Sequence, residues 1–463
     1  RAVEYRRVGG GQAPTEQPPE IRLWILISTV LMLGPYLGFG IRLEHAIVFG
    51  SLAGLTIWSI RTVPDRFEVW PAPRGFLLVM LVPVVVALIG SIVQPPLPDR
   101  LEVFRGSFLA SMDNALLPAA VVVLGWLWLR RVAHSEVLLS FSLGLLWAGA
   151  LNALLALGLL FNRGAVAPLL SSFWGADGYS REKVLGKIVA NERLSGVFSQ
   201  PAEAGLYYSV AFVMGCYLVS TKQRLRMTMG LLTLVPLGGL LTESKIFIYG
   251  GLPIGVAILI AGSEKGSRHK RLAYLLTVFC GVAVVAGFRS DLAARVTDAL
   301  AKRFPTTLSL DVVSGGRFGS DRAVTGYWED LWSGDGWTFG YGVEVFGTSS
   351  DSEFVRVMGN SGVVGLAAWM IFFALLGASV IRLWPAMAPA RRFTSVGLVV
   401  LALGASAGIP ALSANRAGSA LVMSLALMVM MGNQPRAPMT PRGKRSLAAS
   451  SLRASIEDER CPE

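Results

Sequence analysis

The chain is short of charge, cysteine and histidine, and each shortage excludes something. Only 16% of its 463 residues are Asp, Glu, Lys or Arg, against about 25% in soluble domains. With 53% hydrophobic residues and a mean hydropathy of +0.55, an ordinary water-soluble protein is excluded. Cys216 and Cys280 lie inside apolar runs and Cys461 near the end, so neither a CxxC pair nor a disulfide framework is present. His45, His134 and His269 are scattered, which argues against a His-based metal site. The apolar runs are continuous instead of alternating, which argues against a β-barrel. Nothing before Ile21 has the apolar core of a signal peptide, and the first span is expected to insert uncleaved.

What is present is a series of long apolar runs. A bilayer core of ~30 Å needs ~20 helical residues, and the backbone there must hydrogen-bond within itself. The expected fold is therefore all-α and polytopic. Twelve spans can be drawn, at 21–39, 43–60, 75–94, 109–129, 137–161, 201–219, 227–242, 245–262, 272–288, 358–381, 394–409 and 414–432. They define a membrane domain, 21–432, between an N-terminal segment, 1–20, and a basic tail, 433–463, without apolar periodicity that is expected to be disordered. Placing the N-terminus in the cytoplasm puts more than half of the 42 Lys and Arg residues on that side, mostly in short loops. Both termini are then cytoplasmic.

The same topology sends two long loops, 162–200 and 289–357, to the outer face. The second carries more carboxylates than basic side chains, so its arginines are better read as specific ligands or pairing partners than as bulk charge. Helical spacing predicts short amphipathic helices at Arg181–Leu194 (Val184, Leu185, Ile188, Val189) and Asp291–Phe304 (Leu292, Val296, Leu300, Phe304). They lie on the membrane surface or pack on the bundle. The pairs Gly34/Gly38, Gly50/Gly54 and Gly251/Gly255 fit close helix contacts.

Four polar clusters fall on the outer face. In the first, Arg193 precedes a Ser-Gly-Val-Phe-Ser-Gln-Pro run, and Glu203 enters the next span. A guanidinium forks onto phosphate oxygens, whereas a carboxylate entering apolar surroundings needs a partner; Glu203 alternatively serves only the helix N-terminus. In the second, Thr242-Glu243-Ser244-Lys245 offers a point charge for a phosphate, or is a polar hairpin with a snorkelling lysine. The third joins Arg317 and Arg322 with Tyr327, Trp328 and the Gly340-Tyr341-Gly342 turn. The arginines suit a pyrophosphate and the aromatic faces suit sugars, unless the arginines pair with Asp321, Glu329 or Asp330. In the fourth, Asp351, Glu353 and Arg356 precede Gly362 and Gly365. The carboxylates can orient or deprotonate a hydroxyl and Arg356 can neutralise phosphate, or Asp351 and Ser352 cap a helix.

In this order, Arg-Leu-Ser-Gly-Val-Phe-Ser-Gln-Pro, Leu-Thr-Glu-Ser-Lys, the Arg322–Trp328 segment, Gly-Tyr-Gly and Asp-Ser-Glu-Phe resemble the O-antigen polymerase and ligase superfamily over roughly residues 190–380. The resemblance implies a fold related to the C class of glycosyltransferases and metal-independent inverting transfer, with no cofactor. The donor would be an undecaprenyl-pyrophosphate-linked oligosaccharide at the outer face of the bacterial inner membrane. It implies pyrophosphate contacts from Arg193, Lys245 and Arg322 or Arg317, with Arg356 able to add charge. Asp351, Glu353 or Glu203 would act on the acceptor hydroxyl, beside Tyr327, Trp328 and Tyr341. Where the ligase branch has a histidine, this chain has Asp351, Ser352 and Glu353, which favours a polymerase; Ser244-Lys245 stands where the family has Ser-Arg and loses the bidentate fork. A ligase acting on a lipid or protein acceptor is the alternative, and a twelve-span transporter or lipid-oligosaccharide flippase a second. The partners implied are the lipid-linked glycan, the bilayer and a chain-length regulator or flippase of the same pathway; no nucleic acid is expected.

The orientation is testable with reporters. Fluorescent protein fused after the tail should glow, and alkaline phosphatase fused after position 200 or 345 should be active. The opposite pattern overturns the topology.

Overall fold

The computed structural model describes residues 19–37, 41–62, 72–102, 105–175, 178–191, 194–262, 323–345, 352–413 and 415–431. The expected span 272–288, the helix at Asp291–Phe304, most of the N-terminal segment and the tail lie outside the described residues.

Among the described residues every regular element is helical. In chain order they are α1 (Pro19–Leu31), α2 (Leu43–Thr62), α3 (Ala72–Val93), α4 (Asp99–Glu102), α5 (Phe108–Leu129), α6 (His134–Phe161), α7 (Arg163–Trp174) and α8 (Gly178–Asn191). There follow α9 (Pro201–Ser220), α10 (Leu225–Leu241), a π-helical turn (Ile246–Gly251) leading into α11 (Leu252–Ala261), α12 (Ala323–Ser333), α13 (Glu353–Leu383), α14 (Pro389–Gly408) and α15 (Asn415–Leu425). Among the described residues, six helical segments are long and apolar enough to cross a bilayer: Arg74–Val93, Ser111–Leu129, His134–Phe161, Pro201–Ser220, Glu353–Ala386 and Pro389–Gly408. The protein is thus an α-helical membrane protein. Shorter apolar helices occupy Leu43–Trp58, Leu225–Leu241, Ile246–Ala261 and Arg416–Met430.

Two differences from the expected spans have local causes. The first run leaves the helix at Leu31, ahead of Gly34 and Pro35, and turns back through an isolated antiparallel bridge between Tyr36 and Arg42. Proline lacks an N–H and disfavours helix at the preceding residue. The loop 162–200 holds α7 besides the expected helix, with Asn162 Oδ1 accepting the Ala165 N–H at 3.2 Å as its N-cap.

The bundle is built around α9. It is apolar on every face and buried from Glu203 to Val219, as a helix without a polar stripe must be. It packs on α6, α10, α11, α14 and α15. Gly251 and Gly255 make the close approach expected of them, because a Cβ there would stand 2.4 Å from Ser209 Oγ and 2.3 Å from Phe212. Gly50 and Gly54 do not: an added Cβ meets nothing within 4 Å, so their face is open.

The bundle has two polar ends. At one lie Arg22, Arg130, Arg131, Lys222, Arg224, Arg226, Arg382, Arg391 and Arg392, beside the carboxylates Glu20 and Glu136. The other end gathers the starts of α2, α5, α9, α13 and α15 and mixes both signs of charge.

α13 is broken near this mixed end. Gly362 has φ 60° and ψ −163°, and the 336–342 segment fills the gap. Tyr341 N–H and Gly342 N–H donate to the carbonyls of Gly359 and Asn360 at 2.8 and 3.2 Å, and Val363 N–H donates to Trp337 O at 2.8 Å. The groups freed by the break are thus satisfied, as membrane depth demands. Gly340 (φ +78°) lies so close that a Cβ would be 2.3 Å from Asn360 O, and one on Gly362 would be 2.3 Å from Thr338 O. Gly340→Ala and Gly362→Ala should each destabilise the solubilised protein by about 2 kcal/mol or more, combining left-handed strain with overpacking. Gly230→Ala, in open space inside α10, should not lower the unfolding temperature.

Candidate functional site

The turn leading into α9 is held from four directions. Asn152 on α6 accepts Val197 N–H at 2.8 Å and donates to Ser195 O at 3.3 Å and to the Tyr208 hydroxyl at 2.8 Å. Trp174 Nε1 donates to Gly196 O at 2.9 Å, and Ser195 Oγ to Phe198 O at 2.7 Å. Leu194 N–H donates to Leu241 O at 3.1 Å, tying the turn to the end of α10. From α15, Arg416 Nη1 donates to Val197 O at 2.8 Å and Nη2 to Phe173 O at 3.2 Å. Gly196, at φ +63°, is required because a Cβ would collide with Asn152 Oδ1. The Ser-Gly-Val-Phe run is therefore a built turn with each residue fixed.

Beneath it lies a buried charge cluster. Arg42, Glu44, Glu203 and Arg416 are all under 10% exposed, two cations against two anions. Arg42 stands 3.9 Å from Glu44, and Glu203 lies in the field of Arg416 first and then Arg42. Arg42 Nη2 reaches Asn114 Oδ1 at 3.5 Å, and both guanidinium groups face the Tyr36 ring, at 5.5 and 5.9 Å. Next to it the buried His45 pairs through Nδ1 with Asp113 Oδ2. Ionic groups at such depth are tolerated only with opposite charge around them, and it is this balance of charge, more than hydrogen bonds, that joins α2, α5, α9 and α15.

The Thr242–Lys245 turn abuts the same place. Thr242 Oγ1 donates to Gly239 O at 2.7 Å and accepts Ser244 N–H at 3.2 Å, while Glu243 takes φ 49°. Ser244 presses on Gly205, two residues beyond Glu203, where a Cβ would be 2.0 Å from Ser244 Oγ. Lys245 is half-buried at the start of the π-helical turn.

Glu353 is committed to the chain itself. Its carboxylate accepts Leu412 N–H at 3.1 Å, Ser413 N–H at 3.3 Å and the Ser413 hydroxyl at 3.1–3.2 Å. It thereby holds the turn that delivers Arg416. Arg356, one turn along α13, lies in the field of Glu353. Tyr341 belongs to a separate apolar cluster with Leu101, Leu331, Val345, Val355 and Met358, against which Tyr327 and Trp328 pack. Burial raises the Tyr341 phenol above its ordinary pKa, so it stays protonated at neutral pH. Asp330, considered as a partner for the outer-loop arginines, stands 3.9 Å from Arg100.

Of the residues selected from sequence, the structure brings Glu203, Lys245 and Glu353 to one end of the bundle, with Glu203 in the field of Arg416 and Glu353 on the turn that precedes it. Tyr327, Trp328 and Tyr341 join them through the first half of α13. Arg193, Arg317, Arg322 and Asp351 lie outside the described residues. Arg42, Glu44, Asn152 and Arg416 escaped sequence reasoning. A signal existed for three of them, since charged residues at the edges of apolar runs need partners; Asn152 in the middle of one carried the same hint. No protein-family model matches the chain, and no curated protein matches it.

Replacing Arg416 by Leu leaves two buried carboxylates with one cation and frees two carbonyls. We expect a loss of about 3–5 kcal/mol. Glu203→Leu added to Arg416→Leu should cost less than the sum of the single changes, a coupling read by a double-mutant cycle on thermal unfolding. Strict additivity would dissolve the cluster as described.

Proposed function

We propose that the protein is a polysaccharide polymerase of the bacterial inner membrane that joins undecaprenyl-pyrophosphate-linked repeat units at the outer face. The observation that carries this reading is the convergence, on the end opposite the arginine-rich one, of the turn following Arg193, the Lys245 turn and the carboxylates Glu203 and Glu353. By the positive-inside rule the arginine-rich end is cytoplasmic, and the convergent end is then the outer face, with twelve spans in the whole chain. The order of motifs resembling the O-antigen polymerase and ligase superfamily supports the same reading.

In this scheme Arg193 and Lys245, with Arg317 or Arg322 and Arg356, stabilise charge on the departing pyrophosphate, where a lowered dielectric strengthens each contact. The lipid pyrophosphate leaves as the acceptor hydroxyl attacks the anomeric carbon, inverting it. The hydroxyl proton passes to a carboxylate. Glu353 already accepts from Leu412 and Ser413, so its role is to organise the site; Asp351 and Glu203 remain as acceptors of the proton. Tyr327, Trp328 and Tyr341 lie on the sugar side.

Purified protein given a lipid-pyrophosphate oligosaccharide should lengthen it in the presence of a chelator. Arg193→Ala should lower kcat by roughly a hundredfold or more, the scale for losing one donor to developing charge, without altering insertion or unfolding temperature. Full activity in that variant sinks the site assignment. Transfer to a lipid-core acceptor in place of a second repeat unit identifies a ligase.

A further inference from the structure

α2 stands away from α1 and leaves a cleft between them of about 510 Å³. Its walls are Trp24 on α1 and Ile47, Leu55 and Trp58 on α2, and its floor is Gly50 and Gly54. These are the glycines at which an added Cβ meets nothing within 4 Å, so among the described residues nothing covers the floor of the cleft. From Ala46 to Trp58 it follows α2 for about 18 Å at ~1.5 Å per residue. That slightly exceeds half of a ~30 Å hydrocarbon core, the depth of one leaflet.

The chemistry at the Trp58 mouth is cationic. The Arg131 guanidinium lies 3.4 Å from the centroid of the Trp58 ring, and Arg130 lies 4.8 Å from that of Trp126. Arg22, two residues before Trp24 and so on another face of α1, bridges instead to Glu136 on α6 at 3.2 Å. The Arg131 guanidinium, with Arg130 next to it in the chain, thus stands at the mouth of an apolar, leaflet-deep cleft.

We propose that this cleft holds an acyl chain of an anionic phospholipid whose phosphate is bound by Arg131 and Arg130. A guanidinium forks onto phosphate oxygens, and basic pockets at helix ends favour acidic headgroups. A second copy of the chain is a poorer occupant. Its helix would need backbone contact with Gly50 and Gly54, and the rings of Trp24 and Trp58, 47% and 42% exposed, stand on either side of that floor. A flexible acyl chain passes between them. The site lies at the end opposite Glu203 and Lys245 and does not depend on the polymerase reading.

The test is native mass spectrometry of the full-length protein with phosphatidylglycerol or phosphatidylcholine of identical chains. Wild type should retain phosphatidylglycerol with roughly tenfold preference. Arg130→Ala combined with Arg131→Ala should bring the two lipids to near parity, and Arg382→Ala with Arg392→Ala, at the same end of the bundle, should leave the preference intact. Gly54→Leu, which fills the floor, should release the bound lipid without lowering the unfolding temperature. Equal retention of both lipids by wild type, or a preference unchanged in the Arg130/Arg131 variant, overturns the proposal. So does a wild-type dimer that Gly54→Leu converts to a monomer, which would assign the cleft to a second copy.

Discussion

One guanidinium organises the mixed-charge end of this protein. Arg416 is buried, donates to the carbonyls of Val197 and Phe173, and lies in the fields of Glu203 and Glu44. Its head group joins the first turn of α15 to the turn before α9, the end of α7 and the start of α2. A charge at such depth is tolerated only with anions and dipoles around it, so each neighbour is also held by the need to keep Arg416 paired. Glu353 extends the same logic, since it fixes the turn from which Arg416 projects.

The second constraint is the membrane's intolerance of unpaired backbone. Breaking α13 at Gly362 frees peptide groups that lipid cannot satisfy. The Gly340-Tyr341-Gly342 turn supplies them, and it approaches closely enough only because glycine carries no Cβ. α3 closes the arrangement, with Ser91 Oγ accepting Val343 N–H at 2.9 Å. The break brings the aromatic segment 327–341 against the same half-helix that carries Glu353 and Arg356. The glycines of this turn thus have a complete structural task in holding a discontinuous helix together.

The two ends divide the labour by chemistry. The mixed-charge end buries paired ions among well-held turns, the arrangement suited to stabilising charge in a reaction. The opposite end presents arginines stacked on tryptophans, the arrangement suited to a lipid surface. The open glycine face of α2 belongs to that second setting, and its contrast with the closed face of Gly251 and Gly255 separates lipid-facing from core-facing small residues.

Much of the fold was legible residue by residue. Hydropathy located helices close to their observed bounds at 43–60, 75–94, 109–129, 201–219 and 245–262, because the bilayer imposes a length and a polarity that any spanning helix must meet. Amphipathic spacing found α8, and the cost of a buried carboxylate singled out Glu203. Other features depend on packing between distant segments. Pro35 and Gly34 end α1 early, but apolarity alone runs through them. Glu353 reads as a free carboxylate until the turn at 412–413 folds onto it, and Arg416 reads as a charge at the edge of the last apolar run until α7 and the turn before α9 supply its partners. Composition and period are local properties carried by the chain; which charges meet, which glycines are covered and which carbonyls need a donor depend on neighbours hundreds of residues away, as across the 243 residues between Arg416 and Phe173, and arise only when the helices pack.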